Sequence, residues 1–163
     1  MVMKMKIVIL DQQTLTNNDI SFKEIEALGD VTAYDLTPPK KIVERIGDAE
    51  VVLCNKSPLT KEVLTSCINL KYIGLFATGY NNIDIETATE RGITVSNAGE
   101  YSTMEVAQHV FAFILQFASK ISVFNDSVKN GDWINSNTFS YFRYPTFQLS
   151  GLTIGIIGFG SIG

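Results

Sequence analysis

Apolar residues in the first hundred positions fall in short blocks separated by stretches with a helical period. The blocks 5–10, 31–36, 49–55, 71–76 and 93–97 are rich in Val, Ile and Leu, and each predicts a buried strand. Helices are predicted between them. Ser21-Phe22-Lys23-Glu24 reads as a capping box, with Phe22, Ile25 and Leu28 on one helical face and Gly29 as the stop. Thr37-Pro38 opens a helix carrying Ile42, Val43 and Ile46 that ends at Gly47. Thr60 starts a third helix with Val63 and Leu64, and Asp84 caps a fourth over 84–91, closed by Gly92. Strands alternating with helices imply parallel pairing and right-handed crossovers, so residues 1–99 predict a flavodoxin-like α/β domain.

The pattern changes at a second capping box, Ser102-Thr103-Met104-Glu105. Val106, Val110, Phe113, Phe117, Ile121, Phe124 and Val128 then recur every three or four residues and predict one helix to about Lys129, with Gly131 beyond it. Such a helix is roughly 40 Å long and carries an apolar stripe wide enough to need two covering surfaces. Residues 133–148 hold Trp133, Phe139, Tyr141, Phe142, Tyr144 and Phe147 with little periodicity. They read as a packed loop or as an interface. The apolar run 152–157 reads as a strand and leads into Gly158-Phe159-Gly160-Ser161-Ile162-Gly163, a G-x-G-x-x-G pattern. A strand followed by this turn is how a dinucleotide-binding unit begins. Residues 100–163 therefore predict the start of a Rossmann nucleotide-binding domain, without the helix whose N-terminus would hold the phosphate.

Composition narrows the partners. The chain has 163 residues, 45% hydrophobic, with a formal charge of −4 and no basic run beyond Lys40-Lys41, which argues against nucleic acid and anionic membranes as partners. The longest uninterrupted candidate span breaks at Gln116, too short to cross a bilayer. The N-terminal residues read as a first strand and not as a signal peptide. Cys54 and Cys67 lack metal-ligand or redox spacing, so both read as packing residues in a reduced, cytoplasmic protein. No metal site is expected.

Three segments together resemble a known family. Residues 70–84 (Leu-Lys-Tyr-Ile-Gly-Leu-Phe-Ala-Thr-Gly-Tyr-Asn-Asn-Ile-Asp), residues 95–109 and the Gly-rich segment 151–163 resemble, in order and spacing, the D-isomer-specific 2-hydroxyacid dehydrogenases. The aromatic segment before Pro145 and Gln148-Leu149 is similar to the glycerate dehydrogenase, or hydroxypyruvate reductase, branch. The resemblance implies hydride transfer between NAD, with NADP not excluded, and a small 2-hydroxy or 2-oxo acid. It also implies a two-domain protein about twice this length and a homodimer formed through the helix over 103–129. The Arg and the His–Glu pair that carry out the family's chemistry lie downstream, so no catalytic residue maps here and the piece alone is expected to be inactive. A truncated paralogue that acts as an interaction module is the rival reading.

Candidate site residues follow. Thr78, Gly79 and Tyr80 succeed a strand, where backbone N–H groups can meet a substrate carboxylate and Gly79 permits close approach. Lys56 and Ser57 lie at another strand end, where ligands of open α/β sheets sit; Lys56 faces either the cleft or solvent. Thr103 caps the helix and, by resemblance, lies near the cofactor, as do Gly158, Gly160, Ser161, Ile162 and Gly163. His109, the only histidine, sits inside the long helix and reads as structural or interfacial. Two relatives by topology are disfavoured: Asn55 stands where a phosphoreceiver needs an Asp, and residues 11–19 lack the Gly/Ser-rich phosphate loop of a flavodoxin.

Overall fold

A computed structural model describes residues 4–17 and 19–163. The chain divides into two compact units, Met1–Gly99 and Glu100–Gly163.

The first unit is a five-stranded parallel sheet. Its strands are β1 (Met5–Ile9), β2 (Gly29–Ala33), β3 (Val51–Cys54), β4 (Tyr72–Leu75) and β5 (Thr94–Ser96). They run in the order β2-β1-β3-β4-β5, the flavodoxin-like arrangement expected from the sequence. Register follows from period-two burial. Val8 pairs with Val52 and Val52 with Ile73, so the three side chains line one face. That face is closed by α2 (Ile42–Ile46), α3 (Lys61–Ser66) and α4 (Ile85–Glu90), which contribute Ile42, Ile46, Val63, Leu64 and Ala88 to a core shared with Leu10, Cys54 and Leu75.

Local starts and stops differ in part from expectation. The first helix, α1 (Lys23–Glu26), is a single turn, with Phe22 at its N-cap position and no side-chain capping bond, so the predicted capping box does not form. Gly29 does not stop this helix; it is the first residue of β2. A Cβ there would lie 2.2 Å from the Met5 carbonyl oxygen, so the glycine serves close strand approach. Thr37 does not cap a helix either: its hydroxyl donates to the Leu10 carbonyl at 2.6 Å, and a 3₁₀ turn over Pro39–Lys41 precedes α2. Asp84 is the expected cap, its carboxylate accepting from the Thr87 N–H at 2.9 Å.

The second unit departs further. The long helix is two helices, α5 (Thr103–Ser119) and α6 (Ile121–Lys129), bent by 56°. Lys120 sits between them in the left-handed region, φ 52° and ψ 42°. Gln116 explains how the break is held: its backbone carbonyl accepts from the Lys120 N–H at 2.8 Å, and its side-chain oxygen accepts from the Ser122 N–H at 3.3 Å, capping α6. Ser102 precedes α5 without a side-chain capping bond. No single helix is long and apolar enough to cross a membrane among the described residues.

Beyond α6 the aromatic segment turns back on its own unit. Phe124, Tyr141 and Tyr144 meet edge to face, and Asp132 accepts from the Ser127 hydroxyl at 2.7 Å and from Arg143 at 3.0 Å. Phe139 and Phe142 remain exposed, so part of the segment packs and part does not. Residues 152–157 form no strand. The unit holds no other strand to satisfy their backbone groups, and Leu152, Ile154, Ile156 and Ile157 are exposed.

Candidate functional site

In a 2-1-3-4-5 sheet the connections that leave β1 and β3 run to opposite sides, which opens a crevice outside the carboxyl ends of these two strands. Asp11 stands there, just past β1, and only 3% of its surface is exposed. Its carboxylate accepts from the backbone N–H of Asn55 at 2.8 Å, of Lys56 at 2.8 Å and of Ser57 at 2.9 Å, and from the Ser57 hydroxyl at 3.0 Å. Asn55 adds a bond to the Thr14 hydroxyl at 3.0 Å, and Asn82 donates to the Ser57 carbonyl at 2.9 Å. The loop after β3 is thereby fixed residue by residue. Ser57 is buried with its hydroxyl on Asp11, while the Lys56 side chain is exposed.

Cys54, beside this network, is inert. Burial first, and the nearby Asp11 charge second, push its thiol up to about 12. Burial also raises the Cys67 thiol, against a smaller opposing effect from Arg91.

One strand further along, the loop after β4 is tied to the segment after β5. The Ala77 carbonyl accepts from the Ala98 N–H at 3.0 Å, and the Thr78 carbonyl accepts from the Asn97 amide at 2.7 Å. The Thr78 hydroxyl donates to the Gly99 carbonyl. Among the described residues, nothing accepts from the backbone N–H groups of Thr78, Gly79 and Tyr80. All three residues are exposed. Gly79 has no left-handed φ, and a Cβ there would meet only the Asn81 side-chain oxygen, at an ordinary 3.6 Å. Nothing in the fold itself demands glycine at this position.

A cleft of about 710 Å³ lies at the opposite end of the sheet, lined by Lys4, Lys6, Asp30, Asp48, Glu50, Asn69 and Lys71. Four of its six charges are already paired, Lys6 with Asp48 and Lys71 with Glu50. The amino ends of parallel strands are also the wrong end for ligand binding in open α/β sheets. The carboxyl-end loops after β3 and β4 are therefore the candidate site.

In the second unit, Thr103 is the first residue of α5 and is half-buried. Gly158, Gly160, Ser161, Ile162 and Gly163 are exposed. Gly158 has φ 116°, Gly163 donates to the Gly160 carbonyl at 3.2 Å, and Ser161 bonds Glu100. With no strand before this turn, residues 152–163 by themselves do not frame a dinucleotide. His109 is exposed, and its ring meets Phe113 edge to face at 4.6 Å. No cluster of His, Cys, Asp or Glu able to hold a metal occurs among the described residues.

A model of the D-isomer specific 2-hydroxyacid dehydrogenase catalytic domain matches residues 7–152. The chain belongs to the D-isomer-specific 2-hydroxyacid dehydrogenases. Among this family, the hydroxypyruvate reductase of Blautia hydrogenotrophica is 40% identical over 98% of the chain and 50% of its own length. The glycerate dehydrogenase of Methylorubrum extorquens is 36% identical over 99% of the chain and 51% of its own length. A crystal structure of the Aquifex aeolicus D-lactate dehydrogenase, complexed with NAD and lactic acid, shares the fold with a TM-score of 0.73 at 24% identity, over 97% of this chain and 45% of that one. The chain spans about half the length of the curated dehydrogenases it matches.

Two features of the loop geometry escaped the sequence reading. Asp11 is not among the residues that the pattern singles out, although an Asp just past β1, beside the strand-order reversal, is a usable signal. Asn97 carried no signal beyond its place at a strand end.

Proposed function

We propose that this chain is the N-terminal part of an oxidoreductase that moves a hydride between a nicotinamide cofactor, NAD or NADP, and a small 2-hydroxy or 2-oxo acid, with glycerate and hydroxypyruvate as the substrate pair. The names of the two relatives at 40% and 36% identity support that pair, and the D-lactate dehydrogenase solved with NAD supports the cofactor. The observation that carries the reading is that the N–H groups of Thr78 and Gly79, at the carboxyl end of β4, have no acceptor among the described residues. A 2-hydroxy acid brings a carboxylate, and two converging backbone donors bind one without a side chain. Tyr80 and Lys56 flank this seat, Lys56 adding positive charge. Ser57 serves by fixing the loop that carries Lys56.

The nicotinamide cofactor supplies the hydride acceptor or donor when bound. Thr103 and the segment Gly158, Gly160, Ser161, Ile162 and Gly163 are the residues we assign to it, once a strand and a helix frame that turn. No residue of this chain is assigned an acid–base role, so the chain by itself should not turn over. Its setting is the cytoplasm, a reading supported by two free, buried thiols.

Gly79→Ala tests the carboxylate seat. The fold has room for the methyl group, so the urea midpoint should hold, while D-glycerate binding followed by backbone amide shifts should weaken at least about tenfold. Unchanged binding overturns the assignment.

We also propose that α5 and α6 pair with a second copy of the chain. The exposed apolar residues Val106, Val110, Phe113, Phe117 and Ile121 support this, since a stripe of that size in water favours association. A concentration-dependent dimer in sedimentation velocity is expected; a monomer at high concentration counts against it.

A further inference from the structure

The carboxylate seat proposed above depends on which way two peptide planes face, and nothing in the glycine-bearing loop itself fixes that. Gly79 has no Cβ, so rotating the peptide between Thr78 and Gly79 meets little steric resistance. A flip would turn the Gly79 N–H inward and put the Thr78 carbonyl oxygen where a substrate carboxylate must sit.

We propose that Asn97 is the positioning residue that prevents this flip. Its side-chain amide donates to the Thr78 carbonyl at 2.7 Å, and the neighbouring Ala98 N–H donates to the Ala77 carbonyl at 3.0 Å. No peptide bond in the described chain is cis. In a trans peptide the N–H points opposite to the C=O. Two successive carbonyls drawn toward residues 97 and 98 therefore send the Thr78 and Gly79 N–H groups together to the opposite side. The Thr78 hydroxyl, donating to the Gly99 carbonyl, fastens the same loop a third time.

The sheet brings these partners together. β4 and β5 pair with Gly74 opposite Ser96, so the chain segments that follow the two strands run side by side. Asn97 is the first residue past β5, and among the described residues it is the side chain that donates to the Thr78 carbonyl. The chemistry asks for an amide. A carboxylate of the same shape would repel the Thr78 oxygen, and an apolar side chain would leave that oxygen without a donor.

The inference rests on the carboxylate reading, and one experiment separates the two. D-glycerate is titrated into the ¹⁵N-labelled 163-residue chain, with glycerol, which lacks the carboxylate, as the control. In the unsubstituted chain the amide resonances of Thr78 and Gly79 should move with D-glycerate and stay still with glycerol. If they do not move, the carboxylate reading falls and this inference with it.

In Asn97→Asp, half-saturation should need at least about tenfold more D-glycerate. The resonances of β4 and β5 should stay in place, which a merely structural role for Asn97 would not allow. Asn97→Ala provides a second variant without the added charge, and the same weakening is expected. Titration of Thr78 and Gly79 with unchanged affinity in a folded variant, while the unsubstituted chain binds, overturns the positioning role alone.

Discussion

Replacing Asp11 by Asn tests whether one carboxylate holds the loop after β3. The substitution keeps shape and volume and removes one acceptor oxygen and the charge. Asp11 now serves four donors, three of them backbone N–H groups. In its best orientation the amide oxygen takes the place of the oxygen that serves Lys56 and Ser57. The Asn55 N–H then faces an amide NH₂ and goes unmet. A buried donor without a partner costs about 1–3 kcal/mol, and the surviving bonds, no longer charge-assisted, each lose about 1 kcal/mol. The total is roughly 5 kcal/mol, a large share of the 5–15 kcal/mol that holds a typical domain. With a urea dependence of about 1–3 kcal/mol per molar, the midpoint by circular dichroism should fall by more than about 1 M. Asp84→Asn is the matched control. Asn is as good an N-cap as Asp, so that midpoint should move by only a few tenths of a kcal/mol. A shift for Asp11→Asn no larger than the control's would refute the claim that the carboxylate organises the loop.

Two further predictions follow from burial and backbone geometry. The Cys54 thiol is pushed up to about 12, above its value in an unfolded chain, so as pH rises past about 9 the unfolded state ionises first and stability falls until about pH 12. The gap in urea midpoint between the unsubstituted chain and Cys54→Ala should therefore shrink between pH 8 and pH 10.5; a constant gap would refute the raised value. Lys120→Gly should stabilise the second unit by about 0.5–1 kcal/mol by relieving a left-handed non-glycine residue, whereas in an unbroken helix the same change would cost about 1 kcal/mol. The sign of the change in melting temperature decides between the bend and a straight helix.

The first unit was largely legible because its central strands β1, β3 and β4 are largely buried and α2, α3 and α4 bury one face, and burial writes its period into the sequence. Val8, Val52 and Ile73 could be placed from the apolar blocks alone, and the parallel order followed from the intervening helices. What resisted was set by other forces. Gly29 sits where a Gly stop belongs in a helix pattern, but its role depends on the distance between β1 and β2, which no local window contains. The break at Lys120 leaves the apolar period intact and uses no Gly or Pro, so only the capping by Gln116 reveals it. The run 152–157 has the composition of a strand, yet a strand exists only where neighbours accept its hydrogen bonds. In the site, the seat at Thr78 and Gly79 was readable as a loop after a strand. Its fastening to Asn97 was not, because it joins residues 19 apart through the pairing of β4 with β5.

The Asp11 network has a consequence for where this fold can take a ligand. In sheets of this order the customary anion seat is the rim between the first and third strands, where a loop offers successive backbone N–H groups to a phosphate. Here that loop offers its three N–H groups and a hydroxyl, and the anion it holds is the protein's own side chain. Asp11 acts as a permanently bound internal ligand. The seat is filled before any substrate arrives, and a phosphate or flavin would have to displace a covalently tethered competitor. That rim is closed to an external anion, whereas one strand along the N–H groups of Thr78 and Gly79 have no acceptor among the described residues.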